Sequence, residues 1–93
     1  MTEPVSVLDR PLELGPQVSV RPERFGALLY HFGTRRLSFL KDPRLLAVIQ
    51  RLPDAPTARA ACAEAGVEAS SMRSFEAALD RLLRTGMIQA RPA

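Results

Sequence analysis

Three sets of side chains in this 93-residue chain carry the atoms that chemistry uses: Cys62, His31, and the carboxylate pair Glu76 and Asp80. A thiol becomes a nucleophile when a nearby cation or histidine favours the thiolate. Cys62 sits in "ARAACAEAG", without a histidine or basic cluster beside it in the sequence. It is the only cysteine, so no internal disulfide is available, and it reads as a small core residue. His31 is the only histidine, without a nucleophile or carboxylate nearby in sequence, and it reads as a solvated strand residue. Glu76 and Asp80 stand one helical turn apart. An acid/base pair needs a pocket, and a chain of this length builds little of one, so they read as a solvated helix face.

Motifs that announce catalysis are missing as well. The sequence holds no glycine-rich phosphate loop, nucleophile elbow, HExxH motif or Cys/His cluster with metal spacing. It is read as a binding protein rather than an enzyme, with no cofactor. No apolar run reaches the ~18 residues that span a membrane. The start "MTEPVSVLDRPLELGP" lacks the basic-then-apolar pattern of a signal peptide. The expected location is the cytoplasm, with no membrane partner.

The net charge is +3 and the isoelectric point is near 10.0. Twelve of the thirteen basic residues are arginine, with Lys41 the one lysine, which together with the alanine richness resembles the codon usage of a GC-rich genome. The charges are dispersed, seven basic and five acidic over residues 1–46, six and five over 47–93. Without a basic block, a nucleic-acid partner is not indicated.

The elements that must position any site divide simply. Residues 1–16, with Pro4, Pro11 and Pro16, read as an extended arm, and residues 17–91 as one domain. A short strand covers Gln17–Val20 and is expected to stop at Arg21-Pro22. "RFGALLYHF" and "RRLSFLK" flank Gly33-Thr34, the signal of a two-residue hairpin turn. That turn sets Phe32 opposite Arg35, Tyr30 opposite Leu37 and Leu28 opposite Phe39. One face then carries Leu28, Tyr30, Phe32, Leu37 and Phe39 and is predicted to be the core face. The other carries Leu29, His31, Arg36, Ser38 and Leu40.

Asp42 and Pro43 start a first helix, which ends at Pro53. Thr57 caps a second, ended by Gly66. Ser70 or Ser71 is expected to cap a third, ended by Gly86, with Phe75, Ala78, Leu79 and Leu82 at core spacing. "MIQARP" finishes the chain extended. The fold class is α+β, a three-stranded antiparallel sheet followed by three helices.

Sequential strands usually neighbour one another, which leaves the third strand with an unpaired side. An apolar free edge is a liability unless something pairs with it. With a two-residue turn, Arg36, Ser38 and Leu40 would present their backbone groups to that edge. A peptide can add there as a further strand.

The segment "LLYHFGTRRLSFLKDPRLLAVIQRL", with this element order, resembles the peptide-recognition domains of ribosomal peptide biosynthesis, such as the chaperone of pyrroloquinoline quinone biosynthesis. More narrowly, it resembles the mycofactocin-system peptide chaperones. The resemblance covers roughly residues 15–90. It implies a winged helix-turn-helix-like fold that binds the leader of a precursor peptide as an added strand between the third strand and third helix. It also implies presentation of that peptide to a radical S-adenosylmethionine maturase. Carried onto this chain, the peptide-binding residues are Arg35, Arg36, Leu37, Ser38, Phe39, Leu40 and Lys41 on the strand. On the helix they are Met72, Arg73, Glu76, Asp80 and Leu83. The leaders of such precursors look acidic, so Arg35, Arg36, Lys41 and Arg73 would steer them.

The alternative is a winged-helix DNA-binding regulator whose recognition helix begins at "SSMRSFEAALD". One arginine and two carboxylates in its first turns suit phosphates poorly. A generic interaction subunit would use the same edge for a different partner. A free edge also permits either a monomer or a weak, strand-swapped homodimer.

Overall fold

A computed structural model describes residues 5–92. Ser6 accepts the Leu8 amide and caps a short 3-10 turn over Val7–Asp9. Strand β1 (Leu12–Leu14) follows, then β2 (Val18–Glu23), β3 (Gly26–His31) and β4 (Arg36–Leu40). Helices α1 (Pro43–Arg51), α2 (Ala58–Glu64) and α3 (Met72–Arg84) come next, and β5 (Ile88–Ala90) closes the fold. The main sheet is antiparallel in the order β2-β3-β4, and β1 pairs with β5 in a separate antiparallel ribbon. The α+β class and the three helices agree with the expectation. No helix among the described residues is long and apolar enough to cross a membrane.

The segment expected to be an arm is built into the fold from Val7 onward, while residues 1–4 lie outside the described residues. Val7, Leu8 and Leu12 are buried in the one core cluster. The Arg10 carbonyl accepts the Ala58 amide at 3.0 Å, and the Pro11 carbonyl accepts the Arg91 amide at 3.0 Å. Arg59 grips Asp9 at 2.9 Å. The expected extended tail supplies the strand that β1 needs. This pairing joins segments far apart in the sequence, with Leu12 opposite Ala90, Glu13 opposite Gln89 and Leu14 opposite Ile88, which local patterning does not show.

Strand β2 does not stop at Pro22 but runs on to Glu23. Pro22 lies opposite Ala27, and Glu23 opposite Gly26 across the two-residue connection Arg24–Phe25. In such a hairpin the flanking pair exchanges backbone bonds, so the next pair, Pro22 and Ala27, does not. The missing amide of Pro22 faces outward, where it costs no ladder bond. Gly26 is required here, with φ at +148°, because a Cβ would stand 2.0 Å from the Leu40 carbonyl oxygen.

Between β3 and β4 the register is the expected one, with Leu28 opposite Phe39 and Tyr30 opposite Leu37. The connection is not the expected two-residue turn. It is a four-residue loop, Phe32–Arg35, in which the Arg35 amide donates to the His31 carbonyl at 2.7 Å and Arg35 takes φ +61°. His31 does not sit as a free, solvated side chain. It is half-buried, and its Nδ1 accepts the amides of Gly33 at 3.0 Å and Thr34 at 3.1 Å, which holds the loop.

The two faces of the sheet are the reverse of the expectation. Ala27, Leu29 and Leu40 are buried, at 0, 0 and 2 % exposure. Phe32, Leu37 and Phe39, expected in the core, are 60, 57 and 61 % exposed. Counting apolar residues on the hairpin misses what covers each face. Helix α1 packs on β3, whose Ala27 and Leu29 are fully buried, and Val18 of β2 adds to the same buried side. Among the described residues, no helix or strand covers Leu37 and Phe39.

Candidate functional site: the open edge of β4 and its groove

Strand β4 pairs with β3 alone, so one of its sides is free among the described residues. Which residues face that side follows from one bond. The Phe32 amide donates to the Gln17 carbonyl at 2.8 Å, so Phe32 faces β2. Backbone groups alternate along a strand. Tyr30 and Leu28 therefore also face β2, while His31, Leu29 and Ala27 face β4. Their partners Arg36, Ser38 and Leu40 are bonded inward. Leu37 and Phe39 present their amides and carbonyls to the open side. The expected set, Arg36, Ser38 and Leu40, is overturned by this alternation. A two-residue turn would have bonded Phe32 to Arg35, whereas the four-residue loop shifts the bonded pairs by one.

Beside the edge runs an open groove of about 530 Å³. Ser38, Phe39, Leu40 and Lys41 form one wall, Asp42 and Leu45 the end, and Ala78, Arg81, Leu82 and Thr85 of α3 the other wall. A shallower continuation of about 140 Å³ reaches Ser74 and Phe75. Helix α3 thus turns the stripe Ser74, Ala78, Arg81 and Thr85 toward β4. The small side chains on that stripe leave room for a chain to lie between helix and strand.

Of the residues expected to contact a peptide, Ser38, Phe39, Leu40 and Lys41 line this groove. Arg35 lies in the hairpin loop, Arg36 is bonded inward, and Leu37 is on the outer face. The α3 residues expected to face a ligand do not line the groove. Met72 and Leu83 pack partly against the core. Glu76 accepts a hydrogen bond from the Ser6 hydroxyl, next to the N-terminal turn, and Arg73 and Asp80 are exposed away from β4. Phe75, Leu79 and Leu82 are buried as expected. Sequence reasoning missed Leu45, Ser74, Arg81 and Thr85, and read Asp42 only as a helix cap and Ala78 and Leu82 only as core. The 3.6-residue spacing of Ser74, Ala78, Arg81 and Thr85 carried the signal, but the core on the far side of the helix was assigned one step too wide.

The charges in the groove are unequal. Asp42 caps α1 by accepting the Arg44 amide at 2.8 Å, and its carboxylate holds the Arg44 guanidinium at 3.0 Å. The Arg44 hydrogen bond keeps the Asp42 carboxyl below the usual carboxylate range. Arg44 is further fixed 5.2 Å over the Phe75 ring. Lys41 and Arg81 have no ion-pair partner among the described residues. The groove therefore offers two cations and one neutralised carboxylate. Cys62 is elsewhere, fully buried, and burial pushes its thiol pKa up. No group of three or more potential metal-ligating side chains occurs among the described residues. Such an arrangement can hold an extended, partly acidic peptide.

Comparison with known proteins agrees with the resemblance read from "LLYHFGTRRLSFLKDPRLLAVIQRL". Residues 11–89 match the peptide chaperone MftB family. The chain belongs to that family. It is 53 % identical over 83 residues to the peptide chaperone MftB of Mycobacterium tuberculosis, covering 89 % of this chain and 76 % of the relative. It is 52 % identical over 80 residues to the peptide chaperone MftB of Mycobacterium ulcerans, covering 86 % and 73 %. Against the peptide chaperone MftB of Mycolicibacterium smegmatis the identity is 50 % over 72 residues, covering 77 % and 71 %. No solved structure matches the chain. The MftB family match begins at Pro11, so it takes in β1 as well as the sheet, helices and groove.

Proposed function

We propose that this chain is a cytoplasmic peptide chaperone of mycofactocin biosynthesis, acting by binding rather than catalysis. It takes the leader of a ribosomally made precursor peptide as an added strand on β4 and presents it to a radical S-adenosylmethionine maturase. The three-stranded sheet with α2 and α3 then serves as a winged helix-turn-helix-like scaffold used for peptide rather than nucleic acid. The observation that carries this reading is the unpaired edge of β4 beside a groove with two unpaired cations, in a chain of the peptide chaperone MftB family. Leu37 and Phe39 together offer two amides and two carbonyls. Four backbone bonds at about 1 kcal/mol each, plus apolar burial in the groove, suffice for micromolar binding if ordering the peptide costs only several kcal/mol. Lys41 and Arg81 favour an acidic leader and raise its association rate.

The test is a calorimetric titration with a synthetic candidate precursor peptide, taken from a short reading frame sought beside the gene. The expected result is one-to-one binding that a leader-only peptide reproduces, with association slowed moderately by salt. Absence of binding would refute the proposal. Retention on random duplex DNA, with affinity falling by orders of magnitude between about 50 and 200 mM salt, would instead mark phosphate contacts.

A further inference from the structure

We propose that the peptide added to β4 is read on both faces of the sheet, with Leu37 and Phe39, braced by Phe25, forming an outer subsite for two apolar side chains at positions i and i+2. The inference rests on strand addition at β4 and gives the chemistry of the segment that is bound. That segment is a nearly continuous apolar run of about five residues, not an alternating apolar-polar strand.

The same two residues carry both the free backbone groups of β4 and the apolar side chains left uncovered. Leu37 and Phe39 are 57 and 61 % exposed, and they are the two residues whose amides and carbonyls face the open side. In a sheet, residues standing opposite one another project to the same face, with Cβ atoms ~4.5–5.5 Å apart. A peptide on β4 therefore lays the residues opposite Leu37 and Phe39 on the outer face. The intervening residues, opposite Ser38 and Leu40, enter the groove. The groove is lined by Leu40, Leu45, Ala78 and Leu82 as well as by Arg81 and Thr85, so the peptide meets apolar side chains on both of its sides, which is the circumstance in which strands read as largely apolar runs.

The outer subsite has a built shape. The Phe25 ring lies 6.2 Å from the Phe39 ring at 43°, and with Lys41 these two enclose an open concavity of about 370 Å³. Phe25 comes from the β2–β3 connection, is not among the residues that line the groove, and packs its ring against Phe39. Lys41 continues the alternation of Leu37 and Phe39, and a carboxylate on the peptide at that end meets its ammonium group. A second copy of this chain is a poor occupant. The exposed Arg24, Arg35 and Lys41 border this face, and Glu23 is already held by Arg21 at 2.9 Å. Two such faces brought together would oppose like charges.

The experiment is calorimetry of Phe25→Ser and Phe39→Ser with the same synthetic precursor peptide, an alanine scan of the peptide, and NMR of the wild-type aromatic rings during the titration. The expected result is a loss of about tenfold in affinity for each variant. Alanine losses should fall at consecutive peptide positions, and the Phe25 and Phe39 ring signals should shift on binding. If both variants bind within twofold, the ring signals stay put and alanine losses alternate, while Leu37→Pro abolishes binding, the outer subsite is wrong and strand addition stands. If Leu37→Pro binds like the wild type, strand addition fails and takes the subsite with it. If the serine variants change only self-association in sedimentation, the face belongs to a dimer and the proposal is overturned.

Discussion

The Phe32 amide meets the Gln17 carbonyl at 2.8 Å, and through the alternation of backbone groups this bond decides which β4 residues are spent on β3 and which are free. Leu37 and Phe39 are free, and Ser38 is spent. Proline separates the two classes. Leu37→Pro removes an outward amide and should weaken precursor-peptide binding by more than tenfold with the fold retained, beyond the effect of Leu37→Ala. Ser38→Pro removes a bond to β3 and should lower stability by about 1–3 kcal/mol. Circular-dichroism melts and calorimetry on the three variants read both effects. Normal peptide binding by Leu37→Pro would rule out strand addition at this edge.

Asp42 joins the end of β4 to α1, caps that helix and lines the groove. Asp42→Ala should cost about 1 kcal/mol, the usual value of an N-cap. The hydrogen bond from Arg44 lowers the folded carboxyl pKa below its ordinary value. The cap's contribution is therefore fully present above the unfolded pKa of about 3.9, and is lost as pH falls through the lower folded value. Urea unfolding of wild type and Asp42→Ala should differ equally at pH 5 and pH 7 and converge as the pH is taken well below the unfolded value. An unchanged difference at low pH would show that the carboxylate is not the stabilising group.

Leu12 ties the N-terminal segment into the core, fully buried where β1 meets β5. Leu12→Ala should cost about 2–5 kcal/mol, as for a core leucine. In denaturant melts, a loss below about 0.5 kcal/mol would mean that the segment behaves as the detached arm its prolines suggest.

Much of this protein was legible in its sequence because the deciding interactions are local. Asp42-Pro43, Thr57, Gly66 and Gly86 mark helix ends through bonds within a few residues, and the helices begin and end at or within two or three residues of them. The pairing of Leu28 with Phe39 follows from the short loop between their strands. "LLYHFGTRRLSFLKDPRLLAVIQRL" carried the family, and MftB relatives are 50 to 53 % identical to this chain over the aligned residues.

Tertiary structure alone decided which sheet face is buried, because that depends on where α1 comes to rest against β3, not on how many apolar residues each face holds. It decided the fate of the N-terminal segment, whose partner strand β5 lies at the other end of the chain. It also decided the site. The loop takes four residues where a glycine in its middle suggested two, held by His31 Nδ1 through the Gly33 and Thr34 amides. That one change in loop geometry moves the free backbone groups from Ser38 to Leu37 and Phe39. The stripe of α3 that faces them, Ser74 to Thr85, was set by how the helix rolls when Phe75, Leu79 and Leu82 sink into the core.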